Sequence, residues 1–279
     1  MLPRFLSILP KSKQEALVTL ADTDGAAVVA GGTDIMVRMK KGESHKYLID
    51  ISGLKELRGA NILDGRINIG SVTSFRALSM DPLVSTLAPA LSQAASWIGS
   101  PQIRSMATIG GNIVNASPAA DTIPPLLVHD ARVVLESRDQ VRAERLEDFI
   151  TGPYKTAISS KEILSALRIE QLDGYTEGYR RIAKRAAWAI SRLGVAWAIS
   201  ESDNTFTDVR LAIGSCTPAP FRARNVELFL IGKKREAPVI REAVSLCLSE
   251  IRRISGERPS FAYKLPVVRD LLGLLLGGG

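Results

Sequence analysis

Ala107-Thr108-Ile109-Gly110-Gly111-Asn112-Ile113-Val114-Asn115-Ala116-Ser117-Pro118 is the most unusual stretch of the chain. It is small, polar and glycine-rich, yet apolar residues flank it. An earlier segment, Val28-Val29-Ala30-Gly31-Gly32-Thr33-Asp34-Ile35, has the same pattern: paired glycines after an apolar run, then polar side chains. Glycine lets backbone N–H groups converge on an anion with no Cβ in the way. Thr33, Asn112 and Ser117 add side-chain donors. One Gly-Gly pair is ordinarily just a turn. Two such segments facing each other would hold a pyrophosphate from both sides.

Around them, apolar spacing predicts a short amphipathic helix over residues 13–20 and a buried strand over 26–30. Residues 35–41 read as a brief helix or irregular turn, and 47–51 as a second strand. Residues 61–69 form a hairpin signal, because Asp64-Gly65 accepts the positive φ angles of a tight turn. Ser71 or Thr73 is placed to cap a helix ending near Asp81-Pro82. Over residues 83–98, Leu83, Leu87, Leu91, Ala94 and Ile98 share one helical face. A helix is expected over 121–130, with Pro124-Pro125 near its first turn, and a strand over 132–137. Beyond Asp173-Gly174, strands are expected at 179–182, 191–200 and 208–215, with Asp203-Asn204 as a turn. Residues 238–251 and 261–276 read as helices, the second interrupted by Pro266. Elements are grouped rather than strictly alternating, so the class is α+β.

The 279 residues are 46% apolar and 23% charged, which excludes disorder and collagen-like structure. Two cysteines, Cys216 and Cys247, and two histidines, His45 and His129, cannot build a four-cysteine zinc site or a cysteine-ligated cluster. The cysteines fit small buried positions in a reducing compartment. Net charge is +7, with basic knots at Lys40-Lys41, Arg180-Arg181, Lys184-Arg185, Lys233-Lys234-Arg235 and Arg252-Arg253. Such a surface steers anions or an acidic partner, but no aromatic residues interleave it as in nucleic-acid binders. There is no G-x-G-x-x-G, Gly232-Lys233 lacks the upstream glycine of a P-loop, and no G-x-S-x-G elbow exists. The apolar stretch in residues 1–10 is too short for a signal peptide. Residues 271–279 are too short for a membrane span, so a cytoplasmic location is expected.

Ala30-Gly31-Gly32-Thr33-Asp34 and Thr108-Ile109-Gly110-Gly111-Asn112 together resemble the paired flavin segments of the FAD-binding (medium) subunit of molybdenum hydroxylases. That family includes xanthine, aldehyde, nicotinate and aerobic carbon monoxide dehydrogenases. Ser100-Pro101-Gln102-Ile103-Arg104 is similar to a stretch of bacterial xanthine dehydrogenase flavin subunits. Residues 115–121, 151–156, 162–164 and 211–224 resemble later family segments, so the likeness spans nearly the whole chain. It implies a vanillyl-alcohol-oxidase-type (PCMH-type) FAD-binding domain over residues 1–170, in subdomains 1–53 and 54–170. An α+β carbon monoxide dehydrogenase flavoprotein-like C-terminal domain would follow over 171–279.

The resemblance also implies roles. Val28, Val29, Ala30, Gly31, Gly32, Thr33, Asp34 and Ile35 would wrap the FAD pyrophosphate on one side. Thr108, Ile109, Gly110, Gly111 and Asn112 would wrap the other side and approach the flavin, with Ser117 adding a donor. Ile98 would lie near the adenine and Leu164 near the isoalloxazine. Asp121 would hydrogen-bond a ribose or nearby polar group, and Arg180 falls where the family has a cofactor-contacting lysine. Plainer readings stand beside these: Ile98 and Leu164 as core, Asp121 as a helix cap, Arg180 in a surface ion pair, Lys184-Arg185 as solvated. Neither histidine lies in a glycine segment, so FAD is expected to be non-covalent. No catalytic acid, base or nucleophile is expected. NAD is one candidate acceptor, beside oxygen and quinone. Molybdopterin and [2Fe–2S] clusters would sit on large and small partner subunits of a hetero-oligomer. The chain lacks the cysteines for the [4Fe–4S] loop of 4-hydroxybenzoyl-CoA reductases. Three classes stay open: an electron-transfer flavin subunit, a flavin-free scaffold subunit of such a complex, and a basic binding module.

Overall fold

The computed structural model describes residues 2–185 and 190–277. Met1, Gly278 and Gly279, which belong to the terminal stretches considered above, lie outside the described residues. The chain opens with β1 (Leu6–Ile8), α1 (Lys13–Asp22), β2 (Ala26–Val29), α2 (Ile35–Lys40) and β3 (Tyr47–Asp50). Its strands pair in parallel in the order β1-β3-β2, which requires crossover connections. α1 starts where the Ser12 hydroxyl accepts from the Glu15 N–H at 3.1 Å, satisfying one orphan donor of the first turn. Its buried Ala16, Leu17 and Leu20 share a core with Ile49 and Ile51. β2 is an edge strand, and its end runs straight into Gly31-Gly32.

β4 (Ala60–Leu63) and β5 (Arg66–Gly70) make the expected hairpin, with Asp64 and Gly65 at φ +52° and +72°. Short helices follow: α3 (Phe75–Met80), α4 (Pro82–Leu87), α5 (Pro89–Ser96), α6 (Pro101–Met106), α7 (Ile109–Asn115) and α8 (Ile123–Val128). The chain returns as β6 (Arg132–Glu136) and β7 (Val141–Arg145), then passes through α9 (Leu146–Phe149) and a ribbon of β8 (Ile150–Gly152) and β9 (Lys155–Thr156). β10 (Ile163–Ile169) inserts centrally, giving an antiparallel sheet in the order β4-β5-β10-β6-β7.

Three local expectations in this half of the chain need correction. Residues 83–98 form two helices, not one. Pro89 lacks the N–H to continue the ladder and disfavours helical geometry at the preceding residue, and Ala88 sits at φ −148°, ψ 57°. α3 is capped by Ser74, whose hydroxyl accepts from the Ala77 N–H at 3.2 Å, rather than by Ser71 or Thr73, which are buried. The helix expected over 121–130 starts at Ile123, and all its residues are buried. A helix apolar on every side belongs between layers, and α8 packs between the second sheet and the third.

The third sheet is antiparallel: β11 (Thr176–Ala183), β12 (Ser191–Ser202), β13 (Thr205–Gly214) and β14 (Phe221–Arg222). Asp203 and Asn204 turn at φ +49° and +57°, as expected. Strand alternation sends Ala196 and Ala212 toward α8. It sends Val195, Leu211 and Ile213 toward α10 (Arg224–Leu230), α11 (Ala237–Ser255) and α12 (Phe261–Gly277). Pro266 does not interrupt α12; one lost bond is outweighed by the buried face of Leu265, Val268, Leu272 and Leu276. Cys216 and Cys247 are buried and free. Burial pushes the Cys216 thiol up to about 11 and raises Cys247 as well, so neither is a thiolate at neutral pH.

Glu250 on α11 is buried; one oxygen accepts from Asn225 Nδ2 at 3.0 Å and the other has no partner. Burial raises its pKa. The folded chain therefore keeps this proton to higher pH than the unfolded chain, and stability falls as pH rises through that window. Glu250→Gln keeps the acceptor and removes the charge. We expect a higher Tm at neutral pH, worth on the order of 1 kcal/mol, and no gain in acid, where Glu250 is protonated. Thermal melts of both proteins across that pH range check this; an equal Tm at neutral pH would refute it.

Candidate functional site

A cavity of about 380 Å³ lies where the end of β2, the start of α2 and the first turn of α7 converge. Every residue from Val28 to Ile35 lines it, with Thr108, Gly110, Gly111, Asn112, Ile98 and Leu164. Ile109, Ser117, Asp121 and Arg180 do not line it. Ile109 is fully buried in the core, and the Ser117 hydroxyl accepts from the Ala119 N–H at 3.3 Å.

The two glycine segments are not equivalent. In the first, the N–H groups of Gly31, Gly32, Thr33 and Asp34 donate to no acceptor among the described residues. Gly32 holds φ +70°, the left-handed conformation that anion-binding nests combine with right-handed neighbours. Gly31 is required for another reason: a Cβ there would lie 2.1 Å from the Met106 carbonyl oxygen. This close approach brings the segment against the end of α6, immediately before Thr108.

The second segment is the start of a helix, not an open loop, and its amides are committed. Ile109 N–H donates to the Thr73 carbonyl at 3.0 Å and Gly110 N–H to the Ser71 carbonyl at 2.8 Å. Gly111 N–H donates to the capping Thr108 hydroxyl at 3.2 Å. Gly110 allows that packing, since its Cβ would lie 2.6 Å from Ser71 Cβ. At Gly111 an added Cβ would meet only Thr108 Oγ1, at 3.1 Å. This segment therefore offers close access to backbone rather than free donors.

The sequence reading missed other lining residues. Arg38 is the sole Lys or Arg of the lining among the described residues. Its guanidinium donates to Asn115 Oδ1 and to Glu43, each at 2.8 Å, linking α2 to the end of α7. Burial pushes Glu43 up, but hydrogen bonds from His45 and Arg38 win and hold its carboxyl below the usual range. Glu162 also lines the cavity, and Arg142 grips it at 2.7 and 3.0 Å. Those bonds hold it low against the opposing effect of burial. Ser71 lines the cavity with a buried hydroxyl that has no partner; nothing local in the sequence marks it.

Asp121 is neither a cavity residue nor a helix cap. Its carboxylate accepts from Tyr179 Oη at 2.6 Å, Arg181 Nη1 at 2.8 Å and Ser191 Oγ at 2.5 Å. Burial, then the Asp121 charge, keeps the Tyr179 phenol well above its ordinary range, so it stays a donor. The Arg181 guanidinium also lies 5.5 Å from the Trp97 ring centroid. The network ties the segment before α8 to the third sheet. Arg180, one residue along β11, is on the opposite face by strand alternation. It is exposed and lines a separate, more open cleft with Gln93 and Trp197.

Four free amides, a glycine open to the cavity and an orphaned hydroxyl fit a phosphate-bearing cofactor with polar edges. The fold and site define an α+β chain built around a cavity walled in part by unused backbone amides. Residues 3–170 match the family model of the FAD binding domain in molybdopterin dehydrogenase, and residues 178–276 match the CO dehydrogenase flavoprotein C-terminal domain. The chain belongs to this family of FAD-binding subunits. The glyceraldehyde dehydrogenase medium chain of Sulfolobus acidocaldarius is 33% identical over 271 residues, 96% of each chain. The putative xanthine dehydrogenase FAD-binding subunit of Escherichia coli strain K12 is 32% identical, over 92% of this chain and 89% of that one. A chain of carbon monoxide dehydrogenase from Hydrogenophaga pseudoflava aligns with a TM-score of 0.89 at 26% identity, covering 100% of this chain and 96% of that one. The α+β class and the pairing of a flavin domain with a carbon monoxide dehydrogenase flavoprotein-type C-terminal domain are thereby established. No helix among the described residues is long and apolar enough to cross a membrane.

Proposed function

We propose that the chain holds FAD non-covalently in this cavity and relays electrons within a molybdenum hydroxylase-type complex. The partners in this reading are a small [2Fe–2S] subunit and a large molybdopterin subunit, and NAD is a candidate terminal acceptor. The flavin domain spans residues 1–170, in subdomains 1–53 and 54–170, and the C-terminal domain 171–279. Two buried, free cysteines suit a cytoplasmic complex. The observation that carries the reading is the set of unused amides at Gly31 to Asp34 in the same cavity as the open backbone at Gly111.

Bound FAD supplies one- and two-electron transfer, so the chain's own residues need only bind, orient and shield it. The amides of Gly31 to Asp34 bind the pyrophosphate as dipoles, and Arg38, paired with Glu43, holds that wall by tying α2 to Asn115 at the end of α7. Gly111 admits the cofactor close to the backbone. Ile98 packs at the adenine end and Leu164 at the isoalloxazine end, where their apolar side chains exclude water. Asp121 acts one layer out, by fixing Tyr179 and Arg181 of the third sheet against the flavin domain.

The test is direct. The purified chain should be yellow, and acid precipitation should leave all flavin in the supernatant. Alone it should reduce dyes with NADH at most and hydroxylate neither purines nor aldehydes. Adding the iron–sulfur and molybdopterin subunits should restore turnover. A colourless protein that takes up no FAD would mark a flavin-free scaffold, and hydroxylation by this chain alone would overturn the relay.

A further inference from the structure

Among the described residues, the buried side-chain atoms without a hydrogen-bond partner are Arg66 Nη1, Ser71 Oγ, His129 Nε2, Arg168 Nε and Glu250 Oε2. Ser71 alone of these residues lines the cavity. The others have local explanations or lie elsewhere; His129 Nε2, for example, faces the Glu177 carboxylate at 2.9 Å, off the angle a hydrogen bond needs. Ser71 is 3% exposed, so bulk water does not satisfy its hydroxyl.

The backbone has little freedom to solve this by moving, so rotation about χ1 is what re-aims the hydroxyl toward the cavity. Its N–H donates to the Ser165 carbonyl at 2.9 Å and its carbonyl accepts from Gly110 N–H at 2.8 Å. The backbone is thus pinned between β10, next to Leu164, and the first turn of α7. Three of the side-chain acceptors that share the cavity are engaged with others. Thr108 Oγ1 accepts from Gly111, Asn112 Oδ1 accepts from Thr122, and the Glu162 carboxylate is held by Arg142. A hydroxyl kept from water without a partner is destabilising, and alanine would fill this position without that cost.

We propose that Ser71 is a cofactor-positioning residue whose hydroxyl hydrogen-bonds the bound FAD. The proposal rests on the FAD reading above. It makes a prediction of opposite sign for the two states of the protein. In the full chain stripped of flavin, Ser71→Ala removes an orphaned polar atom, so its Tm should equal or exceed that of the unsubstituted protein. With FAD, the same substitution removes a bond, so Kd should rise about 5- to 20-fold. Flavin fluorescence titration and thermal melts of both proteins read the two effects. Equal FAD affinity would overturn the proposal and leave the FAD reading standing. A lower Tm of the flavin-free variant would assign the hydroxyl a structural role instead. If the unsubstituted chain bound no FAD, both readings would fall.

Discussion

Asp121→Ala is expected to cost about 3–5 kcal/mol of folding stability, the scale for breaking a buried ion pair from one side. The Arg181 and Asp121 side chains are 8% and 7% exposed, so solvent screens their interaction little. Removing the carboxylate leaves the guanidinium buried without its counter-ion and deprives Tyr179 and Ser191 of their shared acceptor. The damage falls where the flavin domain meets the third sheet, so cooperativity of unfolding should drop along with stability. Asp121→Ala combined with Arg181→Met removes the stranded charge and should recover a large part of the loss. Denaturant unfolding of the single and double variants measures both. A loss below about 1 kcal/mol, the scale of an exposed pair, would show that this network does not hold the two units together.

Gly111→Val should abolish FAD binding, raising Kd by more than about 100-fold, in a chain that still folds. The backbone accepts a side chain: Gly111 is absent from the positive-φ residues, valine is no worse than glycine in a helix, and the single tight contact of an added Cβ is with Thr108 Oγ1, which must give slightly. The added branch would occupy the cavity beside Thr108, where the cofactor must approach. The first segment offers no equally clean control. Gly32→Val would be strained at φ +70° whatever binds, and Gly31→Ala would drive a Cβ into the Met106 carbonyl. Either loses FAD for reasons of fold. Circular dichroism and flavin titration separate the cases, and stoichiometric FAD on Gly111→Val would mean that α7 is not a wall of the cofactor site.

Several elements were legible because their causes are local. Asp64-Gly65 and Asp203-Asn204 announce tight turns through the φ angles their residues accept, and both turns are present. Strands expected at 179–182, 191–200 and 208–215 coincide with β11, β12 and β13 of the third sheet. Pro89 could have been read as the break in residues 83–98, since its effect on Ala88 is also local. Pro266 misled in the other direction, because burial of one helix face outweighs a single missing bond.

The candidate site divides along the same line. The glycine pairs and their polar neighbours are visible in the chain because only glycine permits such close approach and such φ values. Which pair keeps free amides depends on where Ser71 and Thr73 meet α7, dozens of residues away in sequence. The partners of Asp121 lie 58 to 70 residues further along, and whether Arg180 or Arg181 turns inward depends on the register of β11 against β12. The sequence by itself determined the tight turns and the paired glycine segments, through steric preferences that act within a few residues, and the likeness of those segments to known ones marked the family. Only the tertiary structure decided which amides remain unsatisfied, which carboxylate is buried against which cation and which hydroxyl is buried beside the cavity without a partner, because hydrogen-bond satisfaction is settled by groups that the chain brings together from a distance.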